Sequence, residues 1–270
     1  MNQRKIISAS EARKLIGDAR NKAVEDVTLP FAFEWPAFDG GVFRRIDSEQ
    51  MNISSGIFRK KAIENAEIED ANFDGSLLRK AAVRNCTFRR AIFGKKLTAT
   101  WIESEFENVS FEDSHLNYLS IKSCLFRDVR FNGITAKKAF FKDCTFENVV
   151  FSGKFLSTNI IGGELNNVDF RDMVFSDSEI DRCKSIHVQY PNNRQNFWIS
   201  SKLLQQAIPD LTGQVSEKAL SALKRFADIF SKDREGLLMD AASLTEMKQV
   251  EKDRVMGYLF EASRSGSESR

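Results

Sequence analysis

Residues 101–131 read WIESEFENVSFEDSHLNYLSIKSCLFRDVRF, and a large apolar residue returns at every fifth position: Trp101, Phe106, Phe111, Leu116, Ile121, Phe126 and Phe131. The series runs on through Ala136, Phe141, Phe146, Phe151, Leu156 and Ile161. Two positions ahead of most of these stands a compact residue: Ser104, Val109, Ser114, Cys124, Val129, Ala139, Cys144 and Val149. A period of five is neither the 3.6 of an amphipathic helix nor the 2.0 of a strand. A helix would smear these rings around its circumference, and a flat strand would put alternate ones in water. Short fixed periods belong to repeat architectures, in which each unit buries its apolar side only against its neighbours.

The units Ala71-Asn72-Phe73-Asp74-Gly75, Cys144-Thr145-Phe146-Glu147-Asn148 and Val168-Asp169-Phe170-Arg171-Asp172 carry a closer likeness. With them the chain resembles the pentapeptide-repeat family, whose unit is roughly Ala-Asp/Asn-Leu/Phe-X-X. The resemblance implies a mainly β protein, a right-handed quadrilateral β-helix with four pentapeptides to a coil and a second period of about 20 residues. Phe106, Phe126 and Phe146 then stack on one side and Phe111, Phe131 and Phe151 on another, with coils about 4.8 Å apart. Fourteen of the 23 Phe residues fall on central positions. At about 1.5–3 kcal/mol per buried ring, the core alone contributes on the order of tens of kcal/mol before ordering entropy is subtracted.

Three segments follow from where the period holds. Residues 1–41 read as an N-terminal helical cap, required because a first coil has no neighbour to cover it. A helix is expected from Ser10 to about Asp26, with Leu15, Ile16, Ala19, Ala23 and Val27 on one face, then a strand-like stretch over 29–36. Residues 42–188 read as the coils, with centres that include Phe43, Phe58, Ile63, Ile68, Phe73, Leu78, Val83, Phe88 and Phe93, and Ser48 as a polar exception. Eight positions separate Phe93 from Trp101, three more than one unit, so 94–100 hold a loop or a lost corner. A second slip is expected at Gly162-Gly163, ahead of Leu165, Phe170, Phe175 and Ile180. Residues 189–270 read as a small α-helical region. It comprises a short helix over 201–208 closed by Pro209, and one over 215–231 with Ala219, Leu220, Leu223, Phe226, Ala227 and Phe230 as its stripe. A last helix opens on a capping box of Ser243 and Glu246, and 263–270 read as disordered.

Composition narrows the function classes. Forty basic and 38 acidic residues leave a net charge of +2, so neither sign dominates. No apolar run reaches 18 residues, which speaks against a membrane-spanning helix. Ile6-Ile7 is too short for a secretory core, and the reading is cytoplasmic. Cys86, Cys124, Cys144 and Cys183 all fall on the small inward slot and read as reduced, buried thiols. His115 and His187 are the only histidines, and neither has metal-ligand spacing around it. No nucleophile elbow, phosphate loop or dinucleotide fingerprint is present, so the sequence offers no catalytic, cofactor or metal site.

Outward slots taken at the 20-residue period set Glu64 beside Arg84, Glu69 beside Arg89 and Asp70 beside Arg90, while Glu107, Arg127 and Glu147 alternate in sign. Arg59-Lys60 beside Arg79-Lys80 breaks the rule and marks a basic wall that an anion or acidic partner would relieve. Asp169, Asp172, Asp177 and Asp181, with Glu179, mark an acidic patch. Together with Phe226 and Phe230 these are the candidate interaction residues. The leading reading is a protein-binding scaffold or regulator whose C-terminal helices dock an unidentified protein partner or form a homodimer. The resemblance also implies an alternative, because family members that confer quinolone resistance imitate duplex DNA for a type II topoisomerase. The coils depart from that pattern, with 12 basic and seven acidic residues over 41–100 and 10 and 14 over 101–190, a net of +1. A third reading is weak nucleic-acid or anion binding through the basic wall, with Tyr118 near Lys138 as the best-placed aromatic.

Overall fold

The computed structural model describes residues 5–18, 23–28, 38–39, 42–44, 58–59, 62–94, 97–193, 195–230, 236–240, 244 and 247–267. Helix α1, Ala9–Gly17, opens on a capping box. The Glu11 N–H donates to Ser8 Oγ at 3.3 Å, and the Ser8 N–H donates to the Glu11 carboxylate at 2.8 Å. It buries Ala12 and Ile16 and stops at Asp18 rather than near Asp26. The residues beyond are needed elsewhere: strand Ala23–Glu25 already pairs in parallel with Val42–Arg44, with Val24 in backbone register with Phe43. Val24, which lies off the expected helical stripe, is buried in the coil core, and that burial outweighs local helix propensity. The stretch 29–36 lies outside the described residues.

The body is a parallel β-solenoid with four walls, each named here by one central residue. In the Phe126 wall, Ile63, Val83, Phe106, Phe126, Phe146 and Leu165 lie in register. In the Phe131 wall the stack is Ile68, Phe88, Phe111, Phe131, Phe151 and Phe170. Phe73, Phe93, Leu116, Ala136, Phe155 and Phe175 follow one another up the Leu116 wall, and Leu78, Trp101, Ile121, Phe141, Ile160 and Ile180 up the Ile121 wall. Ring planes in the Phe106–Phe126–Phe146 column are within 10° of parallel at 4.9 and 5.0 Å. The column Phe111–Phe131–Phe151 repeats this at 5.0 and 4.6 Å. Rung spacing fixes the ring spacing, so offset stacking comes at no cost in backbone geometry.

Two coils depart from 20 residues. Trp101 pairs with Leu78 and Phe106 with Val83, so one coil holds three extra residues, and these fall in the loop expected over 94–100. The other slip is not at Gly162-Gly163. Ala136 pairs with Phe155 and Phe141 with Ile160, so the chain is one residue short between Phe151 and Phe155. Phe155 and Ile160 are therefore the buried centres, and Leu156 and Ile161 turn outward, half-buried. Gly153 stands in the shortened unit at φ +119°, where a Cβ would lie 2.1 Å from the Ile134 carbonyl oxygen. Gly162 and Gly163 occupy an ordinary corner slot and inward slot.

The C-terminal region closes the open end of the solenoid. Strands Asn196–Ser200 and Gly236–Asp240 pair antiparallel, a long-range pairing that the helical reading of this region does not contain. The Asn196 amide stands in for the missing next rung, accepting from the Phe175 N–H at 2.9 Å and donating to its carbonyl at 2.8 Å. Trp198 stacks on Tyr190 at 4.3 Å, Tyr190 on Phe170, and Leu238 joins the coil core. Behind the strands pack helices α2 (Ser201–Asp210), α3 (Glu217–Phe230) and α4 (Gln249–Ser267). Pro209 sits inside the last turn of α2 rather than ending it. α4 continues through 263–267, where disorder is expected, because Val255, Met256, Leu259 and Phe260 bury into a second core. The Arg264 guanidinium also lies 5.9 Å from the Phe260 ring. Ser243 and Glu246 lie outside the described residues. No described helix is long and apolar enough to cross a membrane.

Candidate interaction surface

Outward side chains divide by sign. Between residues 62 and 176, leaving aside Lys95 and Lys96, the Phe126 and Phe131 walls with the corners that follow them carry thirteen acidic and six basic side chains. The Leu116 and Ile121 walls carry two exposed acidic side chains, Glu103 and Asp143, and seven basic, Asp74 being buried. The kind of cation also differs. All six on the first pair are arginine, and five of these are locked in ion pairs. Arg84 reaches Glu64 at 2.9 Å and Glu107 at 3.4 Å, and Arg89 reaches Glu112 at 2.7 Å. Arg90 bridges Asp70 and Glu69, Arg127 meets Glu147 at 2.9 Å, and Arg171 meets Asp169 at 2.6 Å. The hydrogen bond to Glu64 raises the Arg84 pKa, and that to Arg171 lowers the pKa of Asp169. The remaining one, Arg130, lines a polar groove of about 330 Å3 with Asn108, Asp128, Asn148 and Asp169.

The opposite walls are different. Six of their seven cations are lysine, and among the described residues only Lys80 has an ion pair, with Glu103 at 3.1 Å. Arg79, Lys122, Lys137, Lys138, Lys142 and Lys154 are exposed and unpaired. Lys122 and Lys142 stand in register on adjacent rungs of the Ile121 wall, between Ile102 and Ile161 on the same ladder. Phe140 lies half-buried in the neighbouring outward slot, and Tyr118, 37% exposed, sits at the corner beside them. A lysine ammonium is a hydrated point charge on a flexible stem, whereas an arginine fork is suited to fixed, two-point pairing. Two walls are braced internally; the other two present free charge.

The residues singled out from sequence are placed as follows. Arg59 pairs in backbone register with Arg79, and Lys60 lies outside the described residues. Arg79 opens the ladder that leads to Lys122 and Lys142, while Lys80 is occupied by Glu103. Asp169, Asp172, Asp177 and Asp181 do not share a face. They span more than half a coil, so Asp169 is on the Phe131 wall and Asp181 on the Ile121 wall. Asp177 accepts from Ser157 at 2.9 Å, and Asp181, largely buried, pairs with Arg182 at 2.9 Å. Phe226 packs against the core of the C-terminal region. The Phe230 side chain lies outside the described residues. No group of three or more His, Cys, Asp or Glu among the described residues is placed to hold a metal ion.

The corners decide which repeat this is. Most five-residue units end on a residue at positive φ, as at Asn85 (52°), Asp128 (54°) and Asn148 (56°). Where the next inward slot holds serine or cysteine, its hydroxyl or thiol donates to the carbonyl two residues back. Ser104 bonds the Ile102 oxygen at 3.0 Å, Ser114 that of Glu112 at 3.0 Å and Cys86 that of Arg84 at 3.0 Å. This is a pentapeptide-repeat β-helix. No family model and no curated relative matches the chain. Among solved structures, this pentapeptide-repeat chain is similar to a trypsin-treated variant of QnrB1, a plasmid-mediated fluoroquinolone resistance protein. Identity is 12% and the TM-score 0.42, covering 67% of this chain and 92% of that one. It is also similar to HetL, a pentapeptide repeat protein involved in heterocyst differentiation regulation from the cyanobacterium Nostoc sp. There identity is 10% and the TM-score 0.26, covering 69% of this chain and 85% of that one.

One feature of the pentapeptide-repeat corners had a sequence signal that the five-residue period overshadows. Asn65, Asn85 and Asn108 form an amide ladder at 3.0 and 2.9 Å, and Asn167, Asn148 and Asp128 form another at 2.9 and 3.0 Å. Asparagine both tolerates the left-handed corner and donates along it.

Proposed function

We propose that this pentapeptide-repeat protein is a non-catalytic protein-interaction scaffold or regulator, acting in the cytoplasm, whose recognition surface is the lysine-bearing pair of walls. The observation that carries this is the division of cations: Arg84, Arg89, Arg90 and Arg127 are committed to cross-coil pairs, and Lys122, Lys137, Lys138, Lys142 and Lys154 are committed to nothing among the described residues. Like charges on adjacent rungs cost stability, so an acidic partner is their natural complement. Affinity capture with the wild type and a Lys122→Glu/Lys142→Glu variant tests it, with Arg127→Gln as control. Proteins lost on lysine reversal and kept in the control support the reading, and identical capture by all three sinks it. Docking or homodimerisation through the C-terminal helices is a further part of this proposal, and solution mass of the wild type against Phe226→Ser checks it.

The acidic walls favour a second reading, a duplex mimic for a type II topoisomerase. Thirteen acidic against six basic groups leave seven negative charges, over about 29 Å of axis at 4.8 Å per coil. Duplex DNA carries about 17 over that length. The deficit, and the bracing by arginine, place this second. A supercoiling assay in which gyrase is neither inhibited nor protected removes it.

A further inference from the structure

We infer that the partner presents an acidic, aliphatic-bearing protein segment, laid along the Ile121 wall across Lys122 and Lys142. This rests on the scaffold reading and names the chemistry of its partner. The ladder Arg79, Ile102, Lys122, Lys142, Ile161 sets three cations and two branched aliphatics on one face at one rung per step, the two lysines adjacent and an isoleucine on either side of them. Phe140 widens the apolar part, lying half-buried in the slot beside Lys142, and Lys137 and Lys138 flank the adjoining corner. A partner made only of anions, such as a phosphate backbone, would dehydrate Ile102, Ile161 and Phe140 with nothing to fill the contact. An extended segment that carries both carboxylates and leucine-like side chains on its facing side meets both kinds of rung. That is the usual anatomy of a protein interface, an apolar centre within a charged rim. The wall is also rigid, so ordering falls on the segment alone.

The test uses the full chain and three labelled probes in fluorescence anisotropy. One is a peptide of about ten residues, enough to cross five rungs, built on a Glu-Glu-Leu-Leu repeat so that Glu and Leu alternate along each face of the extended chain. The second holds Glu only, with the same number of charges, and the third is a single-stranded oligonucleotide with that number of phosphates. The alternating peptide is expected to bind about tenfold or more tighter than the other two, with Lys122→Glu/Lys142→Glu weakening it about tenfold or more. Ile102→Ser and, separately, Ile161→Ser bring it down towards the all-Glu peptide while leaving that peptide's affinity unchanged; unaltered circular dichroism confirms that each variant is folded. An oligonucleotide that binds as tightly as the alternating peptide overturns the inference in favour of a phosphate-reading wall. No binding of any probe at low salt overturns it too. If capture still changes on lysine reversal in that case, the scaffold reading stands and only the partner chemistry falls.

Discussion

At the residue scale the slot two ahead of each ring does more than stay small. Serine and cysteine alternate there because either can donate to the carbonyl turned inward at the corner, which valine and alanine leave to the backbone. Cys124 and Cys144 do this at 3.5 and 3.4 Å. Burial pushes both thiols up to about 12, and Cys86 to about 11, from the ordinary 9.0. A raised thiol pKa means that the folded state favours the protonated form. That contribution is whole below pH 9 and is lost as pH rises towards about 12. The stability difference between wild type and a Cys124→Ser/Cys144→Ser variant should therefore shrink across that window, by up to about 1.4 kcal/mol per pH unit for each thiol. Denaturant melts at pH 8, 10 and 11 check it, and a constant difference refutes it. Gly153→Ala is expected to cost about 3 kcal/mol or more, since both the φ of +119° and the Ile134 carbonyl forbid a Cβ. A denaturation midpoint within experimental scatter of wild type would show that the corner relaxes freely.

At the scale of elements, the legible parts were those whose signal is local. The rings at 106, 126 and 146 and the long coil after Phe93 were readable because each depends on spacing alone. The four-residue unit from Phe151 to Phe155 was not, because Leu156 keeps the period nominally intact and only the Gly153 corner shows which residue turns in. Strand Asn196–Ser200 was hidden for another reason, since its partner is 236–240 and no local pattern announces a pairing over that distance. Its first residue does the capping. Asn196→Ala leaves the Phe175 N–H and carbonyl buried without their side-chain partner, a loss expected at about 2–4 kcal/mol. Circular dichroism melts measure it, and a change under about 0.5 kcal/mol would mean that the cap holds by Trp198 stacking alone.

For the whole molecule the governing feature is charge divided between opposite pairs of walls. Lys142→Glu replaces a like-charge rung with an opposite pair beside Lys122, and is expected to stabilise the fold by up to about 1 kcal/mol. The gain should shrink at 1 M salt; urea melts at two ionic strengths check this, and a salt-independent gain argues for a packing cause. A substitution that strengthens the fold while it weakens docking marks residues kept for a partner.

By itself the sequence determined that rings five apart wind into a dry axis, because no other backbone buries that period. Which charges share a wall was decided only in three dimensions. The three-residue insertion and the one-residue deletion re-phase the coils, so Arg79, Ile102, Lys122, Lys142 and Ile161 fall on one ladder although no fixed spacing relates them. Net charge sums over all sides of the coil and cancels; a partner meets one side at a time.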